Sequence, residues 1–165
     1  MGKYTKEKII ELLDNKRIEY HLQTHKAVHT MNEVESAGVI REGTVLKNLF
    51  LKDDKGKNHF LICVRENSRV DFKELEATLK VKHLGFASTE RLDKYLGVES
   101  GCVSPFSILN NKDKDVKVIF DKNLNDEEII GVHPNDSRAS VWLKYKDVKR
   151  IIEDNGNEIQ LLDFN

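Results

Sequence analysis

The alternation of apolar and polar residues is clearest in the middle of the chain. Residues 45–52 and 58–65 both have the pattern of a β-strand. Between them lies Asp53-Asp54-Lys55-Gly56-Lys57, whose residue types are those of a tight turn with a glycine for positive φ. The pattern therefore predicts an antiparallel β-hairpin.

The first strand of this hairpin has two different faces. Successive side chains of a strand point to opposite sides, so Lys47 lies on the same side as Val45, Leu49 and Leu51. We predict that this side faces the interior and that Leu46, Asn48 and Phe50 face outward. A lysine on an apolar strand face breaks the local rule, which often marks function, although a lysine can also snorkel from the end of such a face.

Helical spacing of apolar residues, with capping residues before it, predicts further elements. Five helices are predicted, and the first begins after Thr5. The second begins after Thr30, which forms a capping box with Glu33, and ends near Gly38. The others begin after Asp71, with Glu74 three residues on, after Ser88 or Thr89, and at Tyr145, where the helix ends at Gly156. Short strands are predicted at 19–23, 86–87, 116–120, 140–143 and 158–162, with a helical turn at 126–130. Strands and helices mix without regular βαβ alternation. The predicted fold is α+β, one domain over residues 1–165 with a curved, mixed and largely antiparallel sheet and peripheral helices.

Length and charge restrict the function classes. A chain of 165 residues can bury a core without disulfides or metal. The 27 basic and 28 acidic residues nearly cancel, so no global field attracts nucleic acid or anionic lipid, and any RNA contact must use a local patch. No apolar run approaches the roughly 18 residues of a membrane span. We expect no membrane partner and no DNA partner.

Cysteine and histidine spacing argue against a metal site. Cys63 and Cys102 have no CxxC spacing, which favours a reducing cytosol and a cytoplasmic location. His21, His25 and His29 are four residues apart, as on a metal-binding helix face, but their segment begins as a predicted strand. We predict neither a metal nor a cofactor.

Two loops run from a glycine to a proline and are candidates for chemistry. The first is Gly101-Cys102-Val103-Ser104-Pro105, where glycine permits a sharp turn and proline fixes the exit. The second is Gly131-Val132-His133-Pro134-Asn135-Asp136. Cys102 or Ser104 with His133 suggests a nucleophile and its base, but no orienting acid or nucleophile elbow is recognisable, which disfavours covalent catalysis.

These loops, together with the run Gly43-Thr44-Val45-Leu46-Lys47-Asn48-Leu49-Phe50-Leu51, resemble the three motifs of the YbaK/ProX aminoacyl-tRNA deacylases. That family is related to the editing domain inserted in bacterial prolyl-tRNA synthetase. The resemblance extends over nearly the whole chain, and there is no synthetase core, as in a free-standing, trans-acting member. It implies hydrolysis of the ester that joins a wrong amino acid to the terminal adenosine of tRNA(Pro), with prolyl-tRNA synthetase as a candidate partner.

The resemblance also implies residue roles. The 101–105 loop seats the aminoacyl carbonyl through backbone amides, with Cys102 contributing its N–H and not its thiol, and a ribose hydroxyl of the substrate helps to activate water. Lys47 anchors the terminal phosphate or ribose and holds the loop, while Asn48 positions the adenosine. His133 limits the size of the bound side chain, and Ser104 touches substrate or water.

Other interpretations remain open at the level of sequence. His133 favours alanine as the amino acid removed, but a deacylase for cysteine on the same tRNA is the alternative within the family. Outside it, the chain could be a non-catalytic tRNA-binding module or a hydrolase of small esters. Lys47, His133 and the glycines could also be ordinary surface and turn residues.

Overall fold

The computed structural model describes residues 3–26 and 41–164. The elements are α1 (Lys6–Asn15), β1 (Tyr20–Thr24), β2 (Thr44–Lys52), β3 (His59–Arg65), α2 (Phe72–Leu79), β4 (Gly85–Phe86), α3 (Thr89–Arg91) continued by a π-helical turn (Leu92–Leu96), a 3-10 helix (Pro105–Asn110), β5 (Val116–Asp121), β6 (Ile129–Val132), β7 (Ala139–Lys144), α4 (Tyr145–Asn155) and β8 (Ile159–Leu162). None of the helices among these residues has the length and apolarity that a bilayer crossing requires.

The strands form one mixed sheet in the order β1-β7-β6-β2-β3-β5-β8. The short strand β4 pairs with the last two residues of β2. The β2/β3 hairpin is antiparallel, as predicted, whereas β2 pairs with β6, β3 with β5, and β5 with β8 in parallel. Helices lie on both sides of the sheet. The predicted α+β class with a mixed sheet and peripheral helices is confirmed.

The caps predicted from the sequence form as expected. The Thr5 side chain accepts a hydrogen bond from the Lys8 N–H, and the Asp71 side chain accepts from Lys73 and Glu74. Gly156 ends α4 with φ +97°, a conformation that costs glycine little. The predicted helix between Thr30 and Gly38 lies outside the described residues.

The sheet is buried on both faces, and this changes the interpretation of β2. The main core takes Leu46 and Phe50 from β2, which are 5% and 4% exposed, whereas Leu51 belongs to a smaller cluster under α2. The alternation along β2 was therefore correct. The prediction that the Leu46, Asn48 and Phe50 face points outward was wrong, since both faces are covered.

The strand β6 was missed by the sequence analysis. Residues 126–130 were predicted as a helical turn and Gly131 as the start of a loop, but Ile129–Val132 is a strand, so the loop begins at His133. Ile130 and Val132 enter the main core. Gly131 is required here because a Cβ would come within 2.5 Å of the Trp142 ring.

The strands β2 and β6 form a fork. They pair in parallel at Thr44 with Ile130 and at Val45 with Gly131, where the pairing ends. The closed end of the fork is held by Glu128, which accepts hydrogen bonds from Thr44 Oγ1 at 2.5 Å and Arg65 at 2.8 Å. Burial alone would raise the pKa of Glu128, but these bonds and one from the Asn125 N–H outweigh it and lower the pKa. Farther along the two strands, Asn48 lies within β2 and His133 directly follows β6.

Candidate active site

The 101–105 loop is a rigid turn that ends as the N-terminus of the 3-10 helix. Gly101 has φ +91°, in the region where L side chains are strained. Ser104 is the N-cap: its hydroxyl accepts from the Phe106 N–H at 3.1 Å, and its own N–H donates to Ser107 Oγ at 3.1 Å. Pro105 occupies the first helical position, where a missing N–H costs nothing.

Two amides of this loop have no acceptor. The Cys102 N–H donates to the Glu99 carbonyl at 3.0 Å, and the Ser104 N–H is used by Ser107. Within the described residues, no hydrogen bond engages the N–H groups of Gly101 and Val103. The expected donation by Cys102 conflicts with its bond to Glu99, and the amides on either side of it are the available donors.

The position of Ser104 does not favour the predicted contact with substrate or water. The residue is 0% exposed, and its hydroxyl already serves as the helix cap. It shapes the loop from inside. This burial argues against a nucleophilic role for Ser104, whereas Cys102 is half-buried beside the main core.

Asn48 faces the loop from β2. Its Nδ2 lies 3.5 Å from the Val103 carbonyl oxygen, at the limit of a hydrogen bond. Its Oδ1 is buried and accepts no hydrogen bond from any residue that the structure describes. A buried acceptor without a donor costs about 1–3 kcal/mol, so the position suits a ligand that brings a hydroxyl or an amino group.

The two predicted loops are joined by hydrogen bonds. Ser107 Oγ donates to Asn135 Oδ1 at 2.8 Å, and Asn135 Nδ2 donates to the Tyr4 carbonyl at 2.9 Å. The Tyr4 N–H in turn donates to Asn110 Oδ1 at 2.7 Å, at the end of the 3-10 helix. The residues before α1 thus connect both loops. Sequence reasoning missed Ser107 and Asn135, although the Ser-Pro-x-Ser spacing of a capping box was a signal for Ser107.

His133 is placed by the backbone after β6. Its Nδ1 lies 2.8 Å from the Ala139 carbonyl oxygen, and its ring centroid is 6.4 Å from that of His25. Asp136 in the same loop forms hydrogen bonds with the Arg138 side chain. These bonds favour the ionised carboxylate and lower the pKa of Asp136 to about 2. Within the described residues, no group of three or more His, Cys, Asp or Glu side chains could hold a metal ion.

Lys47 lies on the opposite side of β2 from Asn48. Its Nζ donates to the Ser68 carbonyl, in the turn after β3. The structure therefore brings together Asn48, the 101–105 loop and the His133 loop. Lys47 was predicted to hold the 101–105 loop, but its Nζ bonds to Ser68. Asn48 is the β2 side chain next to the loop, because the loop packs on the main-core side of the sheet.

Comparison with known proteins agrees with this architecture. Residues 25–151 match the family model of the aminoacyl-tRNA editing domain. The chain is 39% identical to the prolyl-tRNA editing protein ProX of Acetoanaerobium sticklandii, over 96% of this chain and 97% of that protein. It is 29% identical to the prolyl-tRNA synthetase associated domain-containing protein 1 of Danio rerio, over 96% of this chain and 87% of that one.

A solved structure described as a candidate trans-editing enzyme for prolyl-tRNA synthetase superposes with a TM-score of 0.70, with 100% of both chains covered and 17% identity. At that identity the likeness concerns the fold alone. The family match spans most of the chain and the ProX relative nearly all of it. The chain therefore belongs to the aminoacyl-tRNA editing domain family, as an aminoacyl-tRNA deacylase of the YbaK/ProX group.

Proposed function

We propose that this protein is a trans-editing hydrolase that removes alanine from mischarged tRNA(Pro). The observation that carries the proposal is the pair of unengaged amides at Gly101 and Val103, held in a loop whose neighbouring amides are already bonded. Such donors stabilise a carbonyl oxygen as it gains negative charge. The name of the 39% identical relative supports prolyl-tRNA editing as the biological role.

The reaction needs an oriented ester and a water molecule. Water adds to the acyl carbon, the carbonyl oxygen becomes an oxyanion, and the bond between that carbon and the ribose oxygen breaks. The water supplies the hydroxyl of the released amino acid, and its proton passes to the ribose oxygen. In this scheme the amides of Gly101 and Val103 stabilise the oxyanion, and removal of one such donor typically costs about 100- to 1000-fold in rate.

Asn48 is proposed to position the terminal adenosine. Its buried Oδ1 has no donor among the described residues, and a ribose hydroxyl or the adenine amino group would satisfy it. This placement also brings the substrate's own hydroxyl near the 101–105 loop, where it helps to activate water. A side-chain nucleophile is then unnecessary.

His133 is proposed to limit the amino acid that fits. Its ring is fixed by the Ala139 carbonyl at the open end of the fork, so it acts as a wall and not as a free base. With this wall in place, the site is proposed to admit alanine and to exclude the larger proline ring. A second sieve is needed because one methylene group changes binding by only about 1–3 kcal/mol in the synthetase.

The proposed activity concerns one editing domain over residues 1–165, acting in the cytosol on the acceptor end of tRNA(Pro), with prolyl-tRNA synthetase as a candidate partner. Both cysteines are free, which agrees with a reducing compartment.

A deacylation panel tests the proposal. Alanyl-, cysteinyl- and prolyl-tRNA(Pro) are incubated with catalytic amounts of protein, and the ester that remains is measured with time. We expect multiple turnovers with alanine and none with proline. Preferential removal of cysteine would support the YbaK-type alternative, and protection of all three esters would support a non-catalytic tRNA-binding module.

A further inference from the structure

A cleft of about 560 Å³ lies beside the start of β2, on the side of the sheet that carries Lys47. The turn after β3 forms one wall, and Phe164 near the C-terminus forms another. Three arginines line it against a single carboxylate: Arg41, Arg65, Arg69 and Glu66. The function proposed above makes no use of this cleft.

The three arginines differ in whether a carboxylate pairs with them. Arg65 is neutralised by Asp121 at 3.4 Å and Glu128 at 2.8 Å. Arg41 forms an ion pair with Glu66. Arg69 is exposed and forms no hydrogen bond or ion pair with another residue in the part of the chain that the structure describes. At least one guanidinium is therefore available to an external anion.

The Lys47 side chain reaches the wall of this cleft. The Lys47 ammonium donates to the carbonyl of Ser68, a residue of the cleft wall, and no described carboxylate forms an ion pair with it. The wall is held against β2, because the Glu66 N–H donates to the Val45 carbonyl at 3.0 Å and the Ser68 N–H donates to the Arg65 carbonyl at 2.9 Å. Two cations without a carboxylate partner, Lys47 and Arg69, thus flank one fixed turn.

We propose that this arginine cleft binds the phosphodiester backbone of the tRNA substrate. The inference rests on the proposed function, since it names the surface that holds the same substrate. A guanidinium presents paired donors that match phosphate oxygens, and Lys47 adds a point charge at the cleft wall beside Ser68. Phosphate contacts position a nucleic acid without reading its sequence.

A second cleft, of about 580 Å³, is less suited to a polyanion. It lies between α1 and α4, where Glu19, Asp147 and Asp154 share its lining with basic residues. Two of its lysines, Lys144 and Lys146, already pair with Glu127. Its exposed arginines, Arg17 and Arg150, are matched controls because they remove the same charge from a different cleft.

The test measures binding of uncharged tRNA(Pro) by fluorescence anisotropy between 50 and 200 mM salt. For Arg69→Ala and Arg41→Ala we expect roughly tenfold weaker binding at low salt. We also expect the slope of log K against log salt to become shallower by about 0.7–0.9 per lost contact, so that each variant loses about threefold less affinity over this range than the wild type. Arg17→Ala and Arg150→Ala should bind like the wild type.

Deacylation kinetics separate this inference from the proposed function. We expect the arginine variants to raise KM for alanyl-tRNA(Pro) while kcat is retained. If the wild type hydrolyses the ester but Arg69→Ala and Arg41→Ala keep the wild-type salt slope, the inference is overturned and the proposed function stands. If the wild type does not hydrolyse the ester but these variants lose tRNA binding, the proposed function is overturned and the inference stands. Loss of binding in the control variants would assign the tRNA to the other cleft. If Arg41→Ala unfolds because Glu66 loses its partner, the exposed Arg69→Ala and Arg69→Glu variants decide the outcome.

Discussion

The hydroxyl of Ser107 connects the two loops of the candidate site, and its removal is the most informative single change in the protein. Ser107 is fully buried, accepts a hydrogen bond from the Ser104 N–H and donates one to Asn135 Oδ1. In Ser107→Ala both bonds are lost while the shape of the side chain hardly changes. The variant thus separates the polar connection between the loops from their packing.

The cost of this change can be estimated from the two bonds. The Ser104 N–H lies in a residue that is 0% exposed, so it stays buried without an acceptor, which costs about 1–3 kcal/mol. Loss of the neutral bond to Asn135 adds about 0.5–1.5 kcal/mol. We expect the free energy of unfolding to fall by about 2–4 kcal/mol, equivalent to a melting temperature lower by roughly 5–15 °C. We also expect kcat for alanyl-tRNA(Pro) to fall by about 10- to 100-fold, because the loop that presents the Val103 N–H is no longer fixed.

Ser137→Ala is the matched control. Ser137 is also buried, at 6% exposed, and its hydroxyl makes no hydrogen bond to any residue that the structure describes. We expect it to lose less than about 1 kcal/mol of stability and to keep full kcat. Urea denaturation gives the stabilities, and single-turnover deacylation gives the rates at a temperature where both variants are folded. Equal stability and equal rate in the two variants would refute the role assigned to the Ser107 bridge.

Two further predictions concern the loop cysteine and a buried histidine. Cys102→Ala is expected to retain deacylation, whereas Gly101→Ala is expected to lose it because φ is +91° at that position, and an inactive Cys102→Ala protein would revive covalent catalysis. His59 packs against Tyr95 with ring centroids 3.9 Å apart, and burial first and Arg91 second lower its pKa below the ordinary 6.5. A lowered folded-state pKa means that the unfolded chain binds the proton first, so stability is present above about pH 6.5 and declines as the pH falls toward the folded-state pKa. Urea denaturation at several pH values should give a shallower decline for His59→Gln than for the wild type, and equal declines would contradict the assignment.

The sequence was sufficient for elements whose local signals agree with their surroundings. Capping residues at Thr5, Asp71 and Ser88 located helix starts, and the turn at 53–57 located the hairpin. The strand β6 was not predictable in this way, because Gly131 interrupts a run of four residues that begins directly after a polar turn. Its strand character comes from long-range pairing with β2 and β7, which no local pattern contains.

The site was predictable as a set of motifs but not as an arrangement. Alternation correctly separated Lys47 from Asn48, yet it could not tell which face carries the 101–105 loop when both faces are buried. The sequence also could not show which N–H groups of the 101–105 loop lack an acceptor. That depends on which of them the fold engages, such as the Cys102 N–H bonded to Glu99. Asn135 acquired its role only because the fold brings it next to Ser107, 28 residues away in the chain.

The most direct test of the account observes the two amides themselves. A non-hydrolysable analogue, in which an amide replaces the ester between alanine and the terminal adenosine, is titrated into isotope-labelled protein and followed by amide NMR. We predict that the largest downfield proton shifts occur at Gly101 and Val103, while the Cys102 N–H, which is already bonded to Glu99, changes little. Saturable binding of the analogue that leaves the Gly101 and Val103 resonances in place would contradict the claim that these amides hold the acyl oxygen.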